Sequence, residues 1–384
     1  MKRFWAWIIL AAVLSSFPLW EGCRKAGDGE TEVTEADPSG DTEKQVLLTS
    51  GIREIDVIGD VVFEAEASTL EENGVKIGDS LDIVFSGGYT AEDIPYYDDF
   101  FGSRGDTMLA DLGGTLKLGG QYYDFAALYG IRPDETLTVY LHESGKYLAK
   151  YELYQLPTGY RRDAYETEEQ FTNFRGVVYG SIAPGKLFRS ASPVSDKYGR
   201  CEELGKKIDA EKIRTVLNLA DTAEKAAGYR TVAENVQKMI ENGDVIFAGT
   251  GINFYGDDFR EHLAESLAKM SEKDAPYLIH CSLGRDRTGF VCALLEALMG
   301  ASYEEITADY MQSFANVNLL DREKEPEKYE LYRHELDEIF LFLTGCESAE
   351  KIASCNLRET AEQYLLAGGM KPEELERLKS ALGK

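Results

Sequence analysis

Positive charge is what this chain has least of: 41 Lys and Arg stand against 68 Asp and Glu, a formal net charge of -27 at neutral pH. A long-range field of that sign repels phosphate backbones and anionic lipid surfaces, which excludes nucleic acid as a partner and electrostatic docking on a membrane. Histidine is scarce too, at 4 in the whole chain. His142, His262 and His334 show no metal-ligand spacing, so no metal site is expected. Apolar residues are almost missing from residues 23–45, which are acidic and rich in Gly, Thr and Ser and read as a flexible tether.

Ahead of that tether, Lys2 and Arg3 precede an apolar stretch from Phe4 to Trp20 broken only by Ser15, Ser16 and Pro18. Residues 1–22 thus have the charge pattern and length of an export signal. Cys23 follows Gly22 where a bacterial lipoprotein signal places its acylated cysteine, although Trp20 and Glu21 replace the usual small or aliphatic residues. A lipid anchor on Cys23, a plain signal peptide, an uncleaved anchor and a cytosolic protein are the readings. In all but the last the protein is exported, to the cell surface or secreted. Membrane contact would come only through that N-terminal lipid or signal anchor.

The 384 residues, 43% of them hydrophobic, suffice for two domains plus appendages. Over residues 46–158 short alternating segments (Ile55 to Glu64, Leu81 to Phe85, Thr107 to Leu112, Gln121 to Leu128 and Leu137 to Leu141) are punctuated by glycine pairs such as Gly87-Gly88 and Gly113-Gly114. That pattern predicts a smaller, mostly β domain, a barrel or a sandwich. Tyr96-Tyr97, Phe100-Phe101 and Tyr122-Tyr123 form either core and cross-strand pairs or an aromatic face for a cell-surface ligand. Over residues 159–384 strand-like and helix-like stretches alternate. Val177-Val178, Val216 to Leu219, Val245 to Ala248 and Tyr277 to Ile279 are candidate strands of a mainly parallel α/β sheet, with helices around Ala223 to Glu241 and Phe259 to Lys269. Everything from Tyr303 onward reads as helical.

The chemistry concentrates in His280-Cys281-Ser282-Leu283-Gly284-Arg285-Asp286-Arg287-Thr288-Gly289, a glycine-containing turn between the apolar strand Tyr277–Ile279 and the helical pattern Phe290, Val291, Leu294, Leu295, Leu298, Met299. A helix N-terminus at such a turn offers unpaired N–H groups and a positive dipole end to an anion, and the same field favours thiolate over thiol at Cys281. Cys281 is the candidate nucleophile. Arg287 offers a planar fork for two phosphate oxygens, a fit that tightens in the transition state. Thr288 can donate its hydroxyl to the sulfur, and Gly284 and Gly289 permit the close approach a cradle of N–H groups needs. Residues Ser282, Leu283, Gly284, Arg285, Asp286 and Arg287 are thus the candidate phosphate-binding set. Asp286 is the nearest general acid, with Asp257 and Asp258 as fallbacks. Arg285 either reaches a second phosphate or is solvated; Arg189 either lines the pocket or closes a structural ion pair. His280 reads as a brace for the loop rather than a base. Cys292 reads as packing, while Cys346 and Cys355 either pair or are held apart by a helix.

Cys-x5-Arg followed by Thr is the signature of the protein tyrosine phosphatases and their dual-specificity relatives, and the fuller loop resembles the bacterial subgroup that also accepts phosphoinositides. Asn173-Phe174-Arg175 and Leu187-Phe188-Arg189-Ser190-Ala191 look like that subgroup's opening segment. Asp309-Tyr310 through Ser313 looks like its helix after the catalytic one, and Leu365 to Leu382 like its closing helices. The resemblance implies a cysteine-phosphatase fold, no cofactor, a phosphorylated protein or phosphoinositide as partner, and a thiophosphate intermediate with the loop aspartate, here Asp286, as acid. Where the subgroup has Asp-Leu-Arg, this chain reads Asn218-Leu219-Ala220-Asp221, and Asp221 is the candidate substitute. The expected function is hydrolysis of phosphotyrosine, extending to phosphoserine and phosphothreonine; the alternatives are a phosphoinositide or inositol-phosphate phosphatase, and a non-catalytic surface-binding protein on a residual phosphatase fold.

Overall fold

A computed structural model describes residues 45–157, 161–229 and 232–383. The export signal and nearly all of the tether lie outside the described residues. The described residues belong to one compact unit. No helix among them is long and apolar enough to cross a membrane.

The N-terminal part is a closed seven-stranded barrel of β1 (Val46–Ile55), β2 (Val61–Glu66), β3 (Ser80–Phe85), β4 (Thr90–Tyr97), β5 (Thr107–Leu112), β6 (Thr115–Gly120) and β7 (Thr136–Glu143), in the order β1-β2-β6-β5-β4-β3-β7. Closure leaves no strand edge unpaired. Alternate residues point inward, so Leu81, Ile83 and Phe85 of β3 meet Leu137 and Val139 of β7, with Leu109, Leu116 and Leu118 opposite. Two expected strands are corrected. The run from Ile55 to Glu64 is broken by a hairpin turn, where Asp56 Oδ1 accepts from the N–H groups of Ile58 (2.9 Å) and Asp60 (3.1 Å). The run from Gln121 to Leu128 is a loop followed by a short helix, Phe125–Tyr129, because Asp124 Oδ1 caps it by accepting from Ala127 N at 2.7 Å. Strands β1, β4 and β6 add to the expected set; Ser50-Gly51 in the first, Glu92, Asp93 and Pro95 in the second and Gly119-Gly120 in the third obscure the alternating pattern. Tyr96 and Tyr97 are core residues at 1% exposure, and Phe101 stacks on Tyr154 at 5.4 Å. Tyr96, Tyr97 and Phe101 are thus packing residues; Phe100, Tyr122 and Tyr123 are only partly buried.

The C-terminal part is built on a five-stranded sheet of β8 (Arg175–Val177), β9 (Leu187–Ser190), β10 (Thr215–Asn218), β11 (Val245–Phe247) and β12 (Tyr277–His280), ordered β11-β10-β12-β9-β8. The three pairings β10/β11, β10/β12 and β9/β12 are parallel, and β8 runs antiparallel to β9. Strand β9 was not among the candidate strands; it is fully buried and carries a charge, Arg189, which hides it from a hydrophobicity reading. The expected helix over Ala223 to Glu241 is two, Ala223–Ala227 and Glu234–Glu241. Helix Asp286–Leu298 is buried on every side from Thr288 on, with Phe290 stacked on Phe254 at 4.8 Å and edge-on to Phe259 and Tyr364. Its Cys292 is packing, and burial pushes that thiol up to about 12. Helices Tyr303–Val317, Pro326–Thr344, Ala349–Ile352, Leu357–Ala367 and Pro372–Leu382 complete the chain. Cys346 and Cys355 form a disulfide. A single helix would have kept them apart, but Gly345 ends helix Pro326–Thr344 in the left-handed conformation at φ 67° and the chain turns back.

A short helix after the barrel, Leu148–Tyr154, lies on helix Pro326–Thr344, where Tyr332 Oη donates to Tyr154 O at 2.6 Å and Lys328 Nζ to Gln155 O at 2.8 Å.

Candidate active site

Central strand β12 delivers His280 and Cys281 to the C-terminal end of the sheet, the end at which open α/β sheets bind ligands. Helix Asp286–Leu298 starts five residues after Cys281. The turn between them is held from outside through its carbonyls. Ser282 O accepts from Ser192 N at 3.1 Å. Asn173 Nδ2 donates to Leu283 O at 3.3 Å and to Gly284 O at 3.0 Å, and Arg189 Nη2 donates to Gly284 O at 3.0 Å. In a trans peptide the C=O and the following N–H point opposite ways. Anchoring three successive carbonyls outward therefore turns the N–H groups of Leu283, Gly284 and Arg285 to the open face of the loop, next to the unpaired N–H groups of the helix start. Gly284 sits at φ 71°, and a Cβ there would lie 2.2 Å from Ser190 O, so no other residue fits. A Cβ on Gly289 would meet the Tyr310 ring at 2.8 Å.

Beneath the loop lies a buried ionic cluster. Arg189, at 0% exposure, pairs with Asp309 and donates to Ser313 Oγ at 2.9 Å. Arg175 Nε reaches Asp309 Oδ1 at 2.8 Å and Arg175 Nη1 reaches Asn173 Oδ1 at 2.6 Å. Burial alone would raise the Asp309 carboxyl, but Arg189 and Arg175 outweigh it and keep it ionised. Burial, with ionised Asp309 beside it, drives Glu296 the other way, so Glu296 is held protonated. Arg189 thus takes the ion-pair reading, and its second contact fixes the loop.

The predicted residues fall out as follows. Cys281 is 2% exposed. Arg287, at the other end of the loop, donates from Nη1 to Thr250 O at 2.9 Å. His280 Nδ1 donates to Cys281 O at 3.2 Å, and full burial lowers its basicity to about 4, so it is a neutral brace. Thr288 is buried and its hydroxyl makes no hydrogen bond in this structure, so the expected donation to the sulfur is not formed here. Arg285 is neither solvated nor free for a second phosphate: Nε donates to Asp286 Oδ1 at 2.8 Å, Nη1 to Asn318 Oδ1 at 2.9 Å, and the guanidinium lies 5.0 Å from the centre of the Phe314 ring. Asp286 is partly exposed at 40%. Asp257 pairs with Arg260 at 2.8 Å and Asp258 faces His262, both well exposed on the first turn of helix Asp257–Ser271. Asp221 is buried, accepting from Tyr229 Oη at 2.7 Å and Asn218 Nδ2 at 3.2 Å; it braces the end of β10. Sequence reasoning quoted Asn173, Arg175 and Ser313 without a role and passed over Thr250, Asn318 and Glu335. Burial raises Glu335 to about 8, helped by the neighbouring Asp286 carboxylate.

A strand, a cysteine turn with its N–H groups on one face and an arginine at the helix start together make a turn shaped to hold an anion. The family model described as "Tyrosine phosphatase family" matches residues 169–384. A Cupriavidus necator protein named "Putative tyrosine-protein phosphatase" is 35% identical over 65 residues, 16% of this chain and 23% of that protein's length. Among solved structures, the core catalytic domain of the PP-IP phosphatase SIW14 from S. cerevisiae, in complex with citrate, is 20% identical at a TM-score of 0.27, covering 42% of this chain and 85% of that one. An uncharacterized conserved protein from Thermotoga maritima is 12% identical at a TM-score of 0.23, covering 25% and 38%. The chain belongs to the tyrosine phosphatase family, since the family model spans more than half of it.

Proposed function

We propose that the chain is an exported phosphomonoester hydrolase acting on phosphotyrosine, and on phosphoserine and phosphothreonine where they reach the loop. The observation that carries this is the outward anchoring of the Ser282, Leu283 and Gly284 carbonyls, which leaves a ring of N–H donors between Cys281 and Arg287. In the first step Cys281 Sγ attacks phosphorus, the P–O bond to the leaving group breaks, and Asp286 gives that oxygen its proton. In the second, water attacks the phosphocysteine, Asp286 takes the proton back, and phosphate leaves with the sulfur restored. Thr288 is near enough in sequence to serve the sulfur once the phosphoryl group is bound. Export rests on Lys2, Arg3 and the apolar run behind them, with Cys23 as the lipid attachment point. The barrel over residues 46–158 and the catalytic part over 159–384 would then work outside the cytoplasm.

Phosphate release from a phosphotyrosine peptide by the full chain tests the reading, with a phosphoinositide assayed in parallel. Release that disappears in Cys281→Ser supports it, and release that survives Cys281→Ser ends it.

A further inference from the structure

Tyr122 is an aromatic residue in the left-handed conformation, φ 63°, at a barrel tip. Bulky side chains avoid that region unless their surroundings enforce it, and such positions gather at functional sites. The tip is rigid: Gly105 N donates to Gln121 O at 3.0 Å, and Gln121 N to Asp106 O at 2.8 Å, so the Arg104 and Tyr122 loops are tied together. Both leave the barrel for the catalytic part. The Tyr122 ring meets Tyr255 edge-on at 4.8 Å. The Arg104 guanidinium lies 4.8 Å from the centre of the Tyr255 ring and 5.1 Å from that of Phe342, and Arg104 N donates to Glu338 Oε2 at 3.3 Å.

Tyr255 is five residues beyond Thr250, whose carbonyl holds the Arg287 guanidinium. The Tyr122 phenol is close enough to the loop to feel the Asp286 carboxylate as well as Glu335 and Glu338. Tyr310, which packs on Gly289 of the loop, feels Asp286, Glu335 and Tyr122 in turn. The ring contact with Tyr255 thus sets the barrel tip on the segment that carries Thr250, and with it the Arg287 end of the loop.

We infer that the barrel supplies part of the active-site cleft: Tyr122, set against Tyr255 and backed by Arg104, is a specificity-determining wall that takes the aromatic ring of a phosphotyrosine. This rests on the phosphatase reading above. An apolar ring stacks on such a wall. A leaving group carrying several phosphates would instead meet Glu338, which accepts from Arg104 N, while the Arg104 guanidinium is already engaged with two rings.

The test uses the full chain with Tyr122→Gly, which removes the ring and relaxes the backbone, and Arg104→Ala, an exposed side chain. KM for a phosphotyrosine peptide should rise about tenfold in Tyr122→Gly and about threefold in Arg104→Ala, while the inhibition constant of orthovanadate, which reads the loop alone, stays within about twofold. Tyr122→Phe should restore KM. An unchanged peptide KM in either folded variant overturns the inference, as does a parallel loss of kcat and vanadate binding, which would make the tip a structural prop. A wild-type chain inactive on every phosphomonoester would sink the phosphatase reading itself, whereas Cys281-dependent activity indifferent to Tyr122 and Arg104 would sink only the wall.

Discussion

The barrel and the loop-bearing sheet solve the same problem, burying polar backbone, in opposite ways. The barrel closes on itself, so its strands satisfy one another around an apolar core; its few buried carboxylates are held by nearby donors, as Glu135 is when it takes Gly87 N at 3.1 Å and Arg132 Nη1 at 3.3 Å. The sheet must leave the C-terminal end of β12 open for a ligand. It therefore carries Arg189, Arg175, Asp309 and Glu296 in its interior to grip the turn there. Buried charge of this kind is a poor source of stability compared with apolar packing. What it supplies is a loop whose carbonyls face one way.

The largest expected effect separates the two regions by chemistry. Cys281→Ser should abolish turnover of aryl phosphates while still binding vanadate, and Arg287→Ala should lower kcat/KM by about 100-fold or more and weaken vanadate as well. Turnover that persisted in both would make the loop as inert as a barrel hairpin.

Next comes stability. Arg189→Met strands the Asp309 carboxylate in the interior and should lower the unfolding free energy by about 3–5 kcal/mol. The exposed pair of Lys150 with Asp106 of the barrel, 3.4 Å apart, is the contrast, since Lys150→Ala should cost less than about 1 kcal/mol. Urea titration of both variants decides it, and equal losses would erase the distinction drawn between the regions.

Asn173→Ala removes two hydrogen bonds to the loop at once. Its stability cost of about 1–3 kcal/mol should be accompanied by a drop in kcat/KM of up to about 100-fold, because the N–H groups lose their aim. A stability loss with kcat/KM intact would show that the loop holds its shape without this anchor. Asp286→Asn should slow alkyl phosphates far more than aryl phosphates, whose leaving groups need less protonation; equal slowing would transfer the acid role to Glu335, with Glu335→Gln as the check.

The smallest effect is a pH slope. Glu335, raised from 4.5 to about 8, holds a proton in the folded state that the unfolded chain gives up, so it makes unfolding free energy fall as pH rises from about 4.5 to about 8. His280, lowered from 6.5 to about 4, does the reverse: the unfolded chain binds the proton first, and stability rises with pH between about 4 and about 6.5. Glu335→Gln should therefore remove a downward slope above pH 6.5 that His280 does not touch. Calorimetric midpoints at pH 6.5 and 8 would show it.

Much of the site could be read in advance because its residues are contiguous: Cys281 to Thr288 declare a strand, a tight turn and a helix start within one decade of sequence. The anchors were harder. Asn173, Arg175, Arg189, Asp309 and Ser313 come from separate elements, and nothing in a single chain's spacing says that a buried arginine on β9 meets an aspartate 120 positions later. Strand β9 was missed for the same reason, since its charge contradicts a buried-strand pattern until the partner is known. In the barrel, Pro95 and Gly119-Gly120 hid two strands whose pairing comes from closure rather than local preference. The side-chain role of Arg285 stayed open because its partner Asn318 lies 33 residues away, beyond two helices.

Local order fixed the placing of Cys281 and Arg287, the glycine that alone can sit at Gly284 and the helix that starts behind them, because those depend on backbone angles and neighbours within a few residues. Tertiary structure decided which way the loop's peptides face, which carboxyls stay protonated and that a barrel tip packs on Tyr255 and Phe342. Those outcomes depend on distances between segments far apart in the chain and on the water their packing excludes, and neither quantity is encoded in any short stretch of sequence.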